Sequence, residues 1–243
     1  MGDINFVFFH IGDTTYPNLL VQSIKKFHPD SKIYFVTDKK TSFINGVYKT
    51  HRENFNVNKL MTSRLLGFKN LKLKEPAIYI DTDVLIVKKI TRDLFENNDV
   101  FLCSRSFNRD KNFSLEQLRN LNLMEFRTKT VGEVYPFIAC FTYSNNYEFW
   151  SECYKTLLNL DQKFHYWYGD QEALRIVYEK KIFNIGLLNE SIVCTLPEHF
   201  EPGDGSFSIH FKGPARKTLM LQAANFILSE NHDYQVNIKS LTT

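Results

Sequence analysis

The segment Ile78-Tyr79-Ile80-Asp81-Thr82-Asp83-Val84-Leu85-Ile86-Val87 places two acidic side chains inside an apolar, β-branched run. Such a run reads as a buried strand, where a carboxylate robbed of its partner costs about 3–5 kcal/mol, so something must compensate both charges. In extended backbone, residues two apart share a face, which would turn Asp81 and Asp83 toward one point and Thr82 away from it. Hard carboxylate oxygens converging on one point suit a divalent cation such as Mn²⁺ or Mg²⁺. The bare Asp-x-Asp pattern says little, and its setting carries the argument. A surface turn with two solvated carboxylates is the other reading, and it fits poorly with the flanking Ile, Tyr, Val and Leu.

A chain of 243 residues is long enough for one sizeable α/β domain and can bury most of its unfolded surface. Hydrophobic residues at 43% and charged residues at 23% exclude a disordered chain. The formal charge of +3, with no long Lys/Arg block, is too weak for a nucleic-acid surface and fits a single anionic ligand. Cys103, Cys140, Cys153 and Cys194 form no Cys-x-x-Cys and read as reduced core thiols of a cytosolic protein. No apolar stretch approaches the roughly 18–20 residues that span a bilayer. Met1–Phe9 lacks a basic leader region and reads as a first strand, and Phe6 occupies the position where myristoylation wants Ser or Thr. The expectation is a cytoplasmic protein with at most peripheral membrane contact.

Strand and helix signals alternate: Ile4–Phe9, Thr14–Phe27 with Leu19, Leu20, Ile24 and Phe27 at helical spacing, then Lys32–Thr37. A helix over Val57–Phe68 precedes the Asp-x-Asp strand, followed by a Thr91-capped turn and a strand at Val100–Ser104. Further strands are expected at Pro136–Tyr143 and Ile192–Leu196, and helices at Asn146–Leu160 and Gln171–Lys180. This alternation predicts a mostly parallel sheet with helices on both faces, with ligands beyond the carboxyl ends of the strands, where Asp81 and Asp83 fall. No domain boundary is evident, so residues 1–243 are read as one domain. Two polar loops stand out as mobile candidates: Ser104–Ser114, with Arg105, Arg109 and Lys111, and Glu201–Ser208, with Pro202, Gly203 and Gly205.

Late in the chain, Ile209-His210-Phe211-Lys212-Gly213-Pro214-Ala215-Arg216-Lys217 runs from a strand-like start into a Gly-Pro turn among three cations. Gly213 lets backbone approach a ligand, Arg216 offers a bidentate fork for phosphate, and His210 can give a neutral nitrogen to a metal. In Tyr168-Gly169-Asp170-Gln171, Asp170 is placed to cap the following helix, and nothing in composition distinguishes Gln171 from a solvated residue. The aromatic run Phe164-His165-Tyr166-Trp167-Tyr168 reads equally as an acceptor platform or as core. Leu219, Met220, Ala223, Phe226 and Ile227, near helical spacing, predict a C-terminal helical segment at about 217–230 that docks onto the domain rather than onto a membrane.

Together these segments resemble the GT-A glycosyltransferases, and specifically the retaining family of glycogenin and the bacterial lipopolysaccharide galactosyl- and glucosyltransferases. The resemblance covers nearly the whole chain: Phe27-His28-Pro29-Asp30, Thr62-Ser63-Arg64-Leu65, Tyr79–Leu85, Gly169-Asp170-Gln171 and His210-x-x-Gly213-Pro214 follow in family order. It implies a Rossmann-like nucleotide-diphospho-sugar transferase fold. It implies that Asp81, Asp83 and His210 hold Mn²⁺ or Mg²⁺ on the diphosphate of a nucleotide-sugar, such as a UDP-sugar. His10, Ile11, Gly12 and Asp13 would border the base and ribose, Arg64 and Thr82 would face the donor, and Gly213, Arg216 and Lys217 would grip the diphosphate. Gln171 would lie near the reacting carbon with Asp170 as a supporting carboxylate, and the acceptor would be a saccharide or glycoconjugate.

The chain departs from that family in three places. Arg216 stands where a lysine is usual, although Lys217 follows; Pro136-Phe137-Ile138-Ala139-Cys140 lacks Asn-Ala-Gly; and Arg105 lies near the position of an acidic sugar contact. An inverting transferase would need one carboxylate as base, with Asp170 or Glu133 as candidates. A non-catalytic nucleotide-sugar-binding protein could keep the fold, but it would have no need of the Asp pair. A nucleotidylyltransferase would want a Gly-rich loop, which Phe9–Thr14 is not. If the two carboxylates merely crowd each other, Asp83→Ala should leave the fold intact or slightly stabilised.

Overall fold

The computed structural model describes residues 4–229 and 233–242. In chain order the elements are β1 (Asn5–Phe9), α1 (Thr15–Phe27), β2 (Ile33–Asp38), β3 (Lys49–Glu53), α2 (Leu60–Leu71), β4 (Ala77–Ile80), β5 (Val84–Ile86), β6 (Val100–Ser104) and α3 (Leu115–Asn120). There follow α4 (Val131–Val134), β7 (Phe137–Ser144), α5 (Tyr147–Leu158), α6 (Gly169–Glu179), β8 (Ile185–Asn189), α7 (Glu190–Val193), β9 (Ser208–His210), α8 (Pro214–Leu228) and α9 (Tyr234–Lys239). Seven strands form one sheet in the order β3-β2-β1-β4-β7-β6-β8, and β5 pairs with β9 in a second, two-stranded sheet. The large sheet is mostly parallel; only β7 runs antiparallel to its neighbours β4 and β6.

Period-two alternation assigns the strand side chains to two layers. Val7, Val36, Tyr79 and Leu102 face α2, α5 and α6, meeting Leu65, Phe68, Trp150 and Leu174. Phe6, Phe8, Phe35, Ile78 and Ile80 face the other way, onto Leu20, Val21 and Ile24 of α1 and onto Val84 and Ile86 of β5. The far face of the small sheet, Leu85 and Ile209 with Phe211, is covered by Met220, Ala223, Ala224 and Ile227 of α8.

The structure corrects the sequence reading in three places. The Asp-x-Asp run is not one strand: β4 ends at Ile80, residues 81–83 turn, and β5 leaves the large sheet to pair with β9. Apolar residues on both sides of the turn hid the break, because both short strands are buried. Ile192–Leu196 is not a strand either. Glu190–Val193 is a helical turn, and Thr195 makes only an isolated bridge to Ile209. The strand there is instead β8, an edge strand whose Leu187 is 46% exposed, so its apolar signal is weak. The third concerns Asp170, which does not cap α6. Tyr168 holds the cap position in left-handed backbone (φ 59°), and Asp170 lies inside the first turn.

Candidate active site

Asp81, Asp83 and His210 converge, each with a ligand atom within 4.8 Å of the others. The small sheet produces this convergence. Antiparallel pairing sets Val84 opposite His210, and Phe211 N donates to Asp83 O at 2.8 Å, so the imidazole is carried to the Asp turn. Asp81 N is fixed to Cys140 O of β7 at 3.0 Å. The side chains therefore meet through a turn and a strand crossing, not through strand pleating as expected from the sequence.

Arg64 is the unforeseen centre of the site. Its side chain, 11% exposed, reaches from α2 to Asp81 Oδ1 at 2.6 Å and to Asp170 Oδ2 at 3.0 Å, and donates to Ala139 O at 2.8 Å. The other Asp170 oxygen accepts from Gln171 N at 2.8 Å. Gln171 Oε1 in turn accepts from Arg105 Nη2 at 2.8 Å, and Arg105 Nε donates to Tyr135 O at 2.7 Å. Gly169 permits this placement of α6, since a Cβ there would lie 1.9 Å from Phe164 O.

These groups line a cleft of about 830 Å³. Arg64, Arg105, Lys111, Lys212 and Lys217 face it, against the carboxylates Asp81, Asp83 and Asp170, a balance suited to an anionic ligand. Gly213 (φ 87°) and Pro214 open α8 at its rim, where the left-handed backbone explains the glycine. Arg216 is not among the lining residues. Its guanidinium pairs with Glu198 and donates to Lys212 O at 3.1 Å, which leaves Lys212 and Lys217 as the cations of that turn in the cleft.

At the end of β1, His10 Nδ1 lies 3.4 Å from Thr82 Oγ1, and its other ring nitrogen meets Asp13 O. Burial lowers the His10 pKa. Gly12 N donates to Thr41 Oγ1 at 2.9 Å and Asp13 accepts from Thr15 N at 3.0 Å. His10 meets the Asp turn at Thr82, and none of His10, Ile11, Gly12, Asp13 and Thr82 lines the cleft itself. Of the two polar loops, Asn108, Lys111 and Asn112 of Ser104–Ser114 line the cleft, whereas Glu201–Ser208 does not. That second loop is tied to α9 instead, by Gly203 N donating to Gln235 Oε1 at 3.1 Å and by Glu201 pairing with Lys239 at 2.7 Å. The aromatic run divides: Phe164 and His165 are buried, while Trp167 is 47% exposed and lines the cleft with Tyr168. Glu133 is spent in a capping box with Thr130, outside the cleft.

Glu190 escaped the sequence reading. Fully buried, it accepts Ser106 N at 2.9 Å and Phe107 N at 3.0 Å, and its other oxygen accepts Lys212 Nζ at 3.1 Å, so it pins the Arg105 loop to the His210 segment. Its only sequence signal was an acid abutting the apolar run that follows it.

Burial and the neighbouring Asp83 raise the Asp81 pKa to about 7, outweighing the opposing pull of Arg64. Burial also disfavours the Asp83 carboxylate, yet His210, with Nε2 3.3 Å away, brings its pKa below the usual value. Burial favours a neutral His210, but the Cys140 sulfur and Asp83 raise it to about 10. The like-charge strain of the pair thus falls on Asp81, and Asp83 is the partner that steadies His210, which argues against an Asp83→Ala fold that is intact or slightly stabilised. Two carboxylates and a histidine fit a hard divalent cation, and His210 Nδ1 is buried with no hydrogen-bond partner.

No protein-family model and no curated protein sequence matches the chain. Solved structures do. The apo structure of the bifunctional glycosyltransferase WbbM superposes with a TM-score of 0.54 at 12% identity, covering 98% of this chain and 51% of that one. The glycosyltransferase GlyE of Streptococcus pneumoniae TIGR4 matches with a TM-score of 0.59 at 14% identity, covering 98% of this chain and 63% of that one. Its apo form matches at 0.54 and 13% identity. This chain thus spans between 51% and 63% of the length of those proteins. At such identities the likeness is one of fold, and the chain has the GT-A-like α/β fold that those glycosyltransferases share.

Proposed function

We propose that the chain is a metal-dependent glycosyltransferase that moves a sugar from a nucleotide-sugar, such as a UDP-sugar, to a saccharide or glycoconjugate acceptor with retention, residues 1–243 acting as one domain. The observation that carries this reading is the meeting of Asp81, Asp83 and His210 in a cationic cleft, on a fold shared with glycosyltransferases. A Mn²⁺ or Mg²⁺ ion held by those three residues would neutralise diphosphate charge as the anomeric bond breaks. Lys217 and Gly213, both lining the cleft, would hold the leaving diphosphate, and His10 with Thr82 would border the nucleoside side. Arg64 fixes Asp81 and Asp170, and Arg105 fixes the Gln171 amide facing the sugar. Trp167 offers an exposed ring for a sugar face of the acceptor.

Retention is favoured because, among the described residues, no carboxylate lining the cleft is free to act as base. Asp81 and Asp83 belong to the metal group, and both Asp170 oxygens already accept hydrogen bonds. An amide such as Gln171 is a poor nucleophile, which leaves a front-face attack, with the departing phosphate taking the acceptor proton. No helix among the described residues is long and apolar enough to cross a membrane, and a cytoplasmic or membrane-peripheral site of action belongs to this proposal.

The test is a thermal-shift panel of nucleotide-sugars with Mn²⁺, followed by product analysis. A donor present at 100 times its dissociation constant should add about 2.7 kcal/mol of stability. EDTA should abolish that gain, and binding that is indifferent to metal would refute the metal-dependent reading. Donor binding without turnover would favour the non-catalytic alternative, and an inverted product the inverting one.

Arg216 and Lys217, the two cations that follow the Gly-Pro turn, should separate in kinetics. Lys217→Ala should lower kcat about 100-fold, as for loss of one group facing charge in the transition state. Arg216→Ala should change kcat little and stability by roughly 0–1 kcal/mol, the usual worth of a half-exposed ion pair. Equal kinetics in the two variants, measured side by side for kcat and KM, would remove Lys217 from the donor site.

A further inference from the structure

Beneath the Asp turn, on the core side of His210, lies a group of thiols that the proposed reaction does not use. Cys140 of β7, Cys194 after α7 and His210 each offer a ligand atom within 4.8 Å of the others, and all three residues are buried. Cys103 of β6 interacts with Cys140 and is buried as well. The backbone holds the three in place: Asp81 N donates to Cys140 O at 3.0 Å, Cys194 N to Glu190 O at 2.9 Å and His210 N to Thr195 O at 2.7 Å. His210 therefore belongs to two groups of potential ligands, one of hard oxygens toward the cleft and one of soft sulfurs toward the core. Its buried Nδ1 has no hydrogen-bond partner, although its Nε2 lies 3.3 Å from Asp83.

We propose that Cys140, Cys194 and His210 form a second metal site, selective for a thiophilic cation such as Zn²⁺ or Cd²⁺, whose occupancy withdraws His210 from Asp81 and Asp83. Thiolate and imidazole ligands prefer Zn²⁺ and Cd²⁺, whereas the carboxylate group prefers Mn²⁺ or Mg²⁺. Tetrahedral zinc sets S and N ligands about 3.5–3.8 Å apart, given Zn–S near 2.3 Å and Zn–N near 2.0–2.1 Å. From a spread of at most 4.8 Å the site needs a contraction of no more than about 1.3 Å. Binding releases to solvent the protons carried by the two sulfurs and by the His210 imidazolium, and the two thiolates cancel the dication's charge, which makes a buried position tenable. His210 lines the cleft, so the cation can enter from there. A thiophilic metal would then antagonise the hard metal through one shared imidazole. The consequence for turnover rests on the proposed transfer reaction, but the site itself does not.

The experiment is a titration of the intact, reduced protein with Cd²⁺, reading the ultraviolet sulfur-to-cadmium charge-transfer band. Wild type should develop the band to saturation at one equivalent. Cys194→Ala and Cys140→Ser should lose it, while Cys153→Ala and Asp81→Asn keep it. An absent band in wild type, or one that survives Cys194→Ala, overturns the proposal. Loss of the band in Asp81→Asn overturns it too, because the cation would then need the carboxylates. Thermal melts check each variant; should a core cysteine variant fail to fold, the wild-type stoichiometry and the Asp81→Asn protein still decide. Preloaded Mn²⁺, followed by its paramagnetic signal, should be released as Cd²⁺ binds, and Mn²⁺ retained at full Cd²⁺ occupancy would overturn the shared-histidine claim. If Mn²⁺ never binds, the metal-dependent transfer reading fails, while the cadmium band still judges the thiol site.

Discussion

On the proposed metal-dependent transfer, Asp83→Ala should lower turnover of the nucleotide-sugar by at least about 1000-fold and remove the stabilisation expected from Mn²⁺ and a nucleoside diphosphate. Asp83 is one of three convergent ligands and is also the carboxylate nearest His210, with 3.3 Å between Nε2 and Oδ1. Its removal deletes a candidate ligand and takes from buried His210 a carboxylate that helps to raise its pKa, so the charged form of the imidazole loses that stabilisation. The variant should therefore melt below wild type, and circular dichroism should show native secondary structure at the assay temperature. Wild-type turnover in a folded Asp83→Ala protein would mean that the acidic turn is architectural.

Asp81 behaves in the opposite way, and pH separates the two residues. With its pKa raised from 3.8 to about 7, Asp81 binds its proton more tightly in the folded chain than in the unfolded one. Its contribution to stability is full below 3.8 and is lost as pH rises through about 7. The Asp83 pKa is lowered, so its contribution is present above 3.8 and is lost as pH falls through the lowered value. Asp81→Asn keeps an acceptor for Arg64 and removes the titration. In metal-free buffer its melting temperature should gain on wild type between about pH 5 and about pH 8. A difference that stays flat across that range would mean that Asp81 ionises as an ordinary carboxylate.

The sequence made the participants of the site legible more readily than their arrangement. Buried β-branched runs revealed β1, β2, β4 and β6, because a strand covered on both faces leaves a continuous apolar signal. The same continuity concealed the turn at 81–83, where two buried strands abut in different sheets. The edge strands β3 and β8 escaped for the converse reason. Lys49–Glu53 is charged and partly exposed, and Leu187 faces solvent, so neither strand carries a core pattern. Asp170 resembled a helix cap because caps and salt-bridge acids share the same local sequence; only the approach of Arg64 from 106 residues earlier distinguishes them. Arg216 and Lys217 are neighbours of like charge, and their roles diverge only because Glu198 lies within reach of Arg216.

Arg64→Ala should be the most destabilising single change in the site. The guanidinium is bound on three sides: Asp81 at 2.6 Å, Asp170 at 3.0 Å and Ala139 O at 2.8 Å. Its truncation strands the Asp170 carboxylate and drives the already raised Asp81 pKa higher, since the two share no other cation in direct contact among the described residues, apart from the metal group's own histidine. Breaking a buried pair in this way costs about 3–5 kcal/mol, because the surviving charges stay desolvated. In a domain of this size that corresponds to a fall in melting temperature of roughly 6–20 °C. Asp170→Asn on the Arg64→Ala background removes one stranded charge and should recover part of the loss, whereas on the wild-type background it should destabilise. That change of sign is the signature of a charge bridge and would not arise from lost packing. Should Asp170→Asn destabilise equally on both backgrounds, Arg64 acts through its aliphatic stem against Phe68, whose ring centroid lies 5.6 Å from the guanidinium carbon, and the bridge from the acidic turn to α6 contributes nothing measurable.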